Sequence, residues 1–392
     1  VVIYKVLWDR PAMSIVIPRS HIDFLNRVYL LNRVTVTRLK KEFDLTDHRK
    51  LTKILSSLRN RFGIHLWVDV LQQKLGLGIT LIVLKRPRPG VLRRLDKVGD
   101  VLTYRIPYIR SLSYTIEGNF LLVLQNPLGS KIVYGEARKD FVKALYSFNF
   151  ILRSKPLSDL LQRLVSGDYV YLVEGGLEEA FVNRYEFDRE YVLKPARFDG
   201  VDLTILDVVE PRPEMGLRDL TVAVSKELGR SFSAAQIERH VVKHVENLVL
   251  GYRVAKIVAP GAPNYSSTLV TRCRDAIEFC SRAISHPFVF ACAGNSDSGF
   301  VGVTVKGFGG VHELFIASLS QMFPSYDCEP CIDIINSFTI EPYYILFGVP
   351  RPRHAERKAG FDVEVEYDPM SRDWILDVDV DKAVEAILKY AS

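Results

Sequence analysis

His240 and His244 stand four residues apart, a spacing that puts two imidazoles on one helix face, as in some metal sites. Val241 and Val245 form an apolar stripe beside them, and spacing offers no third ligand, so hydrogen-bonded or solvent-facing histidines are expected. Cys328 and Cys331 make a Cys-x-x-Cys pair, which is half of a zinc site. Cys273, Cys280 and Cys292 lack the paired spacing that would complete it. Small buried thiols are the expectation, with a disulfide or zinc as the alternatives. No P-loop, Ser-His-Asp order or paired-carboxylate signature occurs, so no enzyme, cofactor or metal is expected from motifs.

Charge points elsewhere. The formal net charge is +6, but residues 1–150 carry 26 Lys+Arg against 11 Asp+Glu, while residues 151–392 carry 26 against 35. Such segregation suits a polyanion partner for the first part. Within residues 33–65 nine Lys+Arg face three Asp+Glu. The basic candidates are Arg38, Lys40 and Lys41, then His48, Arg49, Lys50, Thr52 and Lys53 at the start of a helix. If that helix enters a major groove, its first residues meet base edges and its basic neighbours hold phosphates. A solvated helix face is the plainer alternative.

These residues need elements to hold them. The chain has 392 residues, 48% hydrophobic and 25% charged, enough for several units of ordinary size. No apolar run approaches the roughly 18 residues of a membrane span, and Asp9, Arg10 and Pro11 break the opening stretch, so a soluble cytoplasmic chain is expected. Only six Gln occur, a weak thermophile signature. After an opening strand, helices are expected at 21–32, 34–43 and 47–62. In the last, Leu51, Ile54, Leu55 and Leu58 form one face and Gly63 closes the end. IHLWVDV then alternates as a strand. Residues 77–154 suggest a βαββαβ order, with helices at 89–99 and 139–149. Residues 155–197 give mixed signals, including a strand at Tyr169–Val173.

The pattern then repeats. Residues 199–257 again suggest three helices and a strand, Ser233 and Gln236 forming a capping box, and residues 265–340 suggest a second βαββαβ run. The fold class expected is α+β, two repeats of a winged helix-turn-helix followed by a ferredoxin-like sandwich. The expected boundaries are 1–75, 76–154, a connector at 155–197, 198–260, 265–350, and a tail at 351–392 with a hairpin and short helix. The second helical unit is net acidic over 199–253, with Ala234, Ala235, Gln236 and Glu238 at its third helix, and a structural or protein-binding role suits it better.

The segments DGVDLTILDVV, SAAQIERHVVKHVENLVLGYRV and AGNSDSGFVGVTV resemble the Lrp/AsnC (feast/famine) transcription regulators, as does LTKILSSLRNRFGIHLWVDVLQQKLGLGITLIVL in the first unit. The resemblance implies double-stranded DNA as partner for the first unit, a homodimer, and an effector such as an amino acid near Gly294, Asn295 and Asp297. Two units in one chain could also make that family's pairing internally. Glu117, Gly118 and Asn119 are the counterpart in the first unit, where the acidic residue is missing. Two alternatives stand beside it. One is an RNA- or assembly-binding factor, since winged helices bind more than duplex DNA. The other is an enzyme resembling the siroheme decarboxylases, with His286 near the position of a family histidine but without the accompanying arginine.

Overall fold

Three short helices open the described part of the chain: α1 (Arg19–Val28), α2 (Val36–Glu42) and α3 (His48–Phe62). The computed structural model describes residues 16–43, 48–85, 109–115, 119–128, 131–133, 142–183, 185–257, 265–307, 309–338, 363–368 and 373–378. The expected opening strand, the helix at 89–99, the basic linker at 351–358 and the terminal helix lie outside those residues, as do Glu117 and Gly118. Thr35 caps α2 by accepting from the Arg38 backbone N–H. Leu51, Leu55 and Leu58 of α3 are buried, and Gly63 ends the helix at φ 65°. Strand β1 (Ile64–Val70) follows, then a 3-10 turn (Gln72–Leu75).

The sheet strands come next: β2 (Leu77–Leu84), β3 (Ile109–Thr115), β4 (Phe120–Pro127), β5 (Lys131–Val133), β6 (Val142–Phe148) and β7 (Phe150–Arg153). The expected helix at 139–149 is a strand instead. Phe141, Ala144, Leu145 and Phe148 fit a helical face, but Ala144, Tyr146 and Phe148 also fit a two-residue period. Tertiary pairing chose the second: β6 runs antiparallel to β2, Leu81 opposite Tyr146 and Ile79 opposite Phe148. The connector is also helical, through α4 (Ser158–Ser166), α5 (Tyr169–Glu174), α6 (Gly176–Val182) and α7 (Arg189–Leu193). The expected strand at Tyr169–Val173 is therefore α5. Its composition favours a strand, but Asp168 caps it by accepting from the Tyr171 N–H, and Leu172 and Val173 are buried.

A second set of three helices and a strand follows: α8 (Gly200–Val209), α9 (Leu217–Leu228), α10 (Ala234–Lys243), a 3-10 turn (Val245–Leu248) and β8 (Val249–Ile257). Strands β1 and β8 pair antiparallel and join the two helical sets. At that junction Gly251 has φ 95°, and a Cβ there would strike the Tyr29 carbonyl and come within 2.8 Å of the Leu31 nitrogen. Glycine at this position lets the two backbones touch. The remainder comprises β9 (Tyr265–Arg272), α11 (Ala276–Ala283), β10 (Val289–Gly294), β11 (Phe300–Gly307), α12 (Gly309–Met322) and β12 (Asp333–Phe338). A hairpin of β13 (Val363–Asp368) and β14 (Asp373–Val378) adds β5 in parallel.

Nine strands form one sheet in the order β6-β2-β4-β3-β12-β9-β11-β10-β7. Its end strands β6 and β7 are separated in sequence by Asn149 alone, so the sheet curls enough to bring the end of one to the start of the other. The inner face carries Ile79, Leu81, Val83, Leu121, Phe148, Val270, Ala293 and Ile335. The outer face, with Leu269, Val301, Val303 and Val305, packs on Phe279 of α11 and Phe315 of α12 and is continuous with the core of both helical sets. The chain is thus mixed α+β. Among the described residues no helix is long and apolar enough to cross a membrane.

The expectation of buried free thiols fails for four cysteines. Cys273 pairs with Cys328, and Cys280 pairs with Cys292. Cys331 remains a half-buried thiol. The partners are set by the antiparallel approach of residues 273 and 328 and by α11 lying on β10, neither visible as sequence spacing.

Lys74 supplies a pH-dependent contact between the halves. Its ammonium donates to the Asn247 carbonyl at 2.9 Å and lies 3.3 Å from the Tyr191 ring centre. Burial pulls its pKa down from 10.5 to about 8, against the opposing charge of Asp188. Between those values the unfolded chain holds a proton that the native chain lacks, so stability rises with pH. Burial raises the pKa of Tyr146, Tyr185 and Tyr252 above their ordinary 10.0, which reverses the trend above that pH. Urea unfolding between about pH 8 and 10 should show the rise, and Lys74→Met should remove it. Equal slopes in both proteins would dismiss the assignment.

Candidate metal centre

Asp199 lies just before α8, where its carboxylate accepts from the Val201 and Asp202 N–H groups at 2.8 and 3.0 Å. Asp202, on the first turn of the helix, accepts in return from the Asp199 N–H at 2.9 Å. This reciprocal cap fixes both side chains at one helix end. Helix α10 begins with a second capping box, Ser233 with Gln236, and buries Ile237 and Val241 against the core. That face sets the roll of α10 and turns His240 toward Asp202. His244 stands one turn later, at the helix end.

The four side chains converge. His240 Nδ1 lies 2.8 Å from Asp202 Oδ1, and His244 Nδ1 lies 2.9 Å from Asp202 Oδ2. Asp199 Oδ1 is 3.9 Å from His240 Nδ1. One donor atom from each of the four falls within 4.8 Å of the others. Asp202 is fully buried, whereas the side chains of His244 and Asp199 are 38% and 53% exposed. The cluster is therefore closed from below and open to solvent above.

Tetrahedral ligands about 2.0–2.1 Å from zinc stand roughly 3.3 Å from one another. The two short contacts are hydrogen bonds inside that spacing, and the third lies outside it. Ligation would therefore require these side chains to shift from the arrangement seen here. Each imidazole would have to present Nδ1 without its proton, which the other neutral tautomer does. Both histidines are hydrogen-bonded and partly exposed, as expected, and the structure adds two carboxylates beside them that the histidine spacing did not suggest. Asp202 lies 38 residues before His240, and only helix packing brings it there. The D-x-x-D and H-x-x-x-H spacings, taken together at the ends of two helices, were the available signal.

The residues expected to contact DNA are distributed differently. Arg38 is turned toward the second half of the chain, where its guanidinium donates twice to the buried Glu246 carboxylate, at 3.1 and 2.9 Å. The ion pair raises the Arg38 pKa further. Thr52 lines a cleft of about 180 Å³ with Arg59, Trp67, Pro213 and Glu214, between α3 and the loop after α8. Lys41, Arg49, Lys50 and Lys53 are exposed and Lys40 is partly so, while His48 begins α3. The set is thus split between a structural ion pair, a cleft and an open face.

Gly294, Asn295 and Asp297, the expected effector site, form the β10–β11 turn. A Cβ on Gly294 would collide with the Phe150 ring. The Asn295 side chain accepts from the Asp297 and Ser298 N–H groups at 3.0 Å and donates to the Ser147 carbonyl at 3.2 Å. These bonds fasten the turn to the end of β6. Asn119, in the first-unit counterpart, is buried beside Thr115 in the β3–β4 hairpin.

His286 lies in the core rather than in a pocket. Its Nε2 donates to the Leu172 carbonyl at 3.0 Å, its Nδ1 accepts from the Phe288 N–H at 3.1 Å, and its ring stacks on Phe315 at 4.4 Å. Burial depresses its pKa to about 3. It joins α5 to the start of β10 and is inaccessible to a substrate.

Comparison with known proteins returns no matching family model and no matching curated protein. Among solved structures, the chain is similar to a crystal structure of the siroheme decarboxylase NirDL in complex with an iron-uroporphyrin III analogue. Identity is 15%, with 82% of this chain and 91% of that one covered, at a TM-score of 0.40. The matched protein is an enzyme, so the expectations of an Lrp/AsnC-type DNA-binding regulator and of a non-enzyme are withdrawn. A likeness at this level transfers no residue role.

Proposed function

We propose that this chain is a metal-binding protein that holds one divalent transition-metal ion between the first and third helices of its second helical unit. The observation that carries the reading is the convergence of Asp199, Asp202, His240 and His244 within 4.8 Å. Two imidazoles with carboxylate oxygens suit zinc or a neighbouring first-row metal better than magnesium or calcium, which favour all-oxygen sets. The wider architecture fits two winged-helix and ferredoxin-like units folded against each other, with β1 and β8 as the pairing strands.

Asp202, His240 and His244 form the inner set, with Asp199 or water completing it on the exposed side. Burial beneath Asp202 keeps that carboxylate from being displaced by solvent. An ion with a water ligand on its open side would act as a Lewis acid.

Titration of chelator-stripped protein with Zn²⁺, and with Co²⁺ followed by visible absorption, tests the centre. One equivalent should bind, and Co²⁺ should give the absorption of a nitrogen- and oxygen-ligated ion. His240→Gln and His244→Gln should each weaken binding by at least about 100-fold, the upper range for loss of a supporting group. Cys331→Ser should leave binding unchanged. Affinity surviving both histidine substitutions would sink the assignment.

A further inference from the structure

Resting on that metal reading, we infer that occupancy of the Asp199/Asp202/His240/His244 cluster regulates how firmly the two helical units are joined. The link is the 3-10 turn that begins at Val245, immediately after His244.

In four residues this turn gathers contacts from several elements of the other half. Glu246 is almost fully buried and receives Arg33 at 3.0 Å and Arg38 at 2.9 Å. Its carbonyl accepts from the Tyr191 hydroxyl of α7 at 3.2 Å. The Asn247 carbonyl accepts from Lys74 at 2.9 Å, and the Leu248 carbonyl from the Leu71 N–H at 2.8 Å. The α1–α2 linker, α2, the turn after β1 and the connector therefore all rest on Val245–Leu248.

His244 is the residue that positions the start of this turn. It caps α10 with φ −122° and ψ −58°, outside helical geometry, and one Nδ1 contact to Asp202 orients its partly exposed ring. A metal bond at that nitrogen replaces a single hydrogen bond with a fixed direction. It ties the end of α10 to the start of α8 and so fixes where Glu246 stands. Arg33 and Arg38 then meet a preplaced carboxylate. Linkage makes the effect mutual: if the ion steadies the Glu246 clamp, the clamp must raise metal affinity by the same factor.

Hydrogen–deuterium exchange on the full chain, stripped and Zn²⁺-loaded, reads this directly, with calorimetry recording metal binding in parallel. Loading should slow exchange at 199–210 and 234–244, and also at 245–254 and 33–43, by at least about five-fold, the lower range of such couplings. Glu246→Gln leaves every proposed ligand in place. It should lose the slowing at 33–43 and weaken metal binding by a matching factor. Arg38→Gln removes the clamp from the opposite side with Arg33 still on Glu246, and it should have the same effects should the first variant fold poorly. Zn²⁺ that binds but slows only 199–210 and 234–244 overturns the coupling and leaves the centre intact. No binding by calorimetry overturns both.

Discussion

Asp69→Ala is expected to cost about 3–5 kcal/mol of stability, because it strands a buried ammonium. Asp69 on β1 and Lys155, just after β7, form an ion pair of 2.7 Å with both side chains essentially sealed from solvent. Lys155 also donates to the Tyr252 carbonyl of β8 at 2.7 Å. The pair thus binds the curled sheet to the two strands that join the helical sets. Burial drives the Lys155 pKa down, Asp69 opposes the shift, and Arg253 and Arg153 add to it. Without Asp69 the nearby formal charges that act on Lys155 are positive, and its proton becomes harder to keep. Replacing both partners with apolar residues, Asp69→Leu with Lys155→Met, should cost far less than the single change, since no buried charge remains. Denaturant unfolding of the two single variants and the double variant forms a cycle that isolates the pair. A loss below about 1 kcal/mol for Asp69→Ala would show that water reaches Lys155 and that the pair is not sealed.

The second large effect is acid destabilisation through His286. Its native pKa, pushed to about 3 by burial, lies below the ordinary 6.5. The native state therefore refuses a proton that the unfolded chain accepts. The His286 contribution is complete above pH 6.5 and is lost as pH drops toward 3, at up to about 1.4 kcal/mol per pH unit, several kcal/mol in all. His286→Gln retains a donor for the Leu172 carbonyl but has no proton to gain. It should lower stability at neutral pH through the lost stack on Phe315, yet show a shallower decline between about pH 6.5 and 4. His21 and His312 also have depressed pKa values, from burial first, and add to the acid loss of both proteins. They cancel in the difference. Parallel slopes would remove His286 as the source.

Both effects come from buried charge or potential charge at contacts between distant segments, and that is where the sequence was hardest to read. Local signals were legible. Leu51, Ile54, Leu55 and Leu58 announced α3, Gly63 marked its end, and Ser233 with Gln236 announced α10, because helical period and capping are properties of neighbouring residues. The α+β class followed from such runs, and so did the repeated order of three helices and a strand. The His240–His244 spacing was visible for the same reason.

Elsewhere, local signals were ambiguous or silent. Residues 142–148 suit a helix or a strand, and pairing with β2 decided between them. Tyr169–Val173 has strand composition, but the Asp168 cap and burial of one face made α5. Asp199 and Asp202 carried no site signal of their own in the sequence, and only the packing of α8 on α10 sets them against two histidines. Arg38 looked like a phosphate contact until the turn after His244 placed Glu246 beneath it. Sequence alone determined the helical faces, the caps and the mixed class, because those depend on side chains a few residues apart. Tertiary structure decided the curled sheet, the cysteine partners, the buried pairs and the Asp199/Asp202/His240/His244 cluster. Each of those joins segments tens to hundreds of residues apart, and their meeting is fixed by burial of the shared core, which no local period encodes.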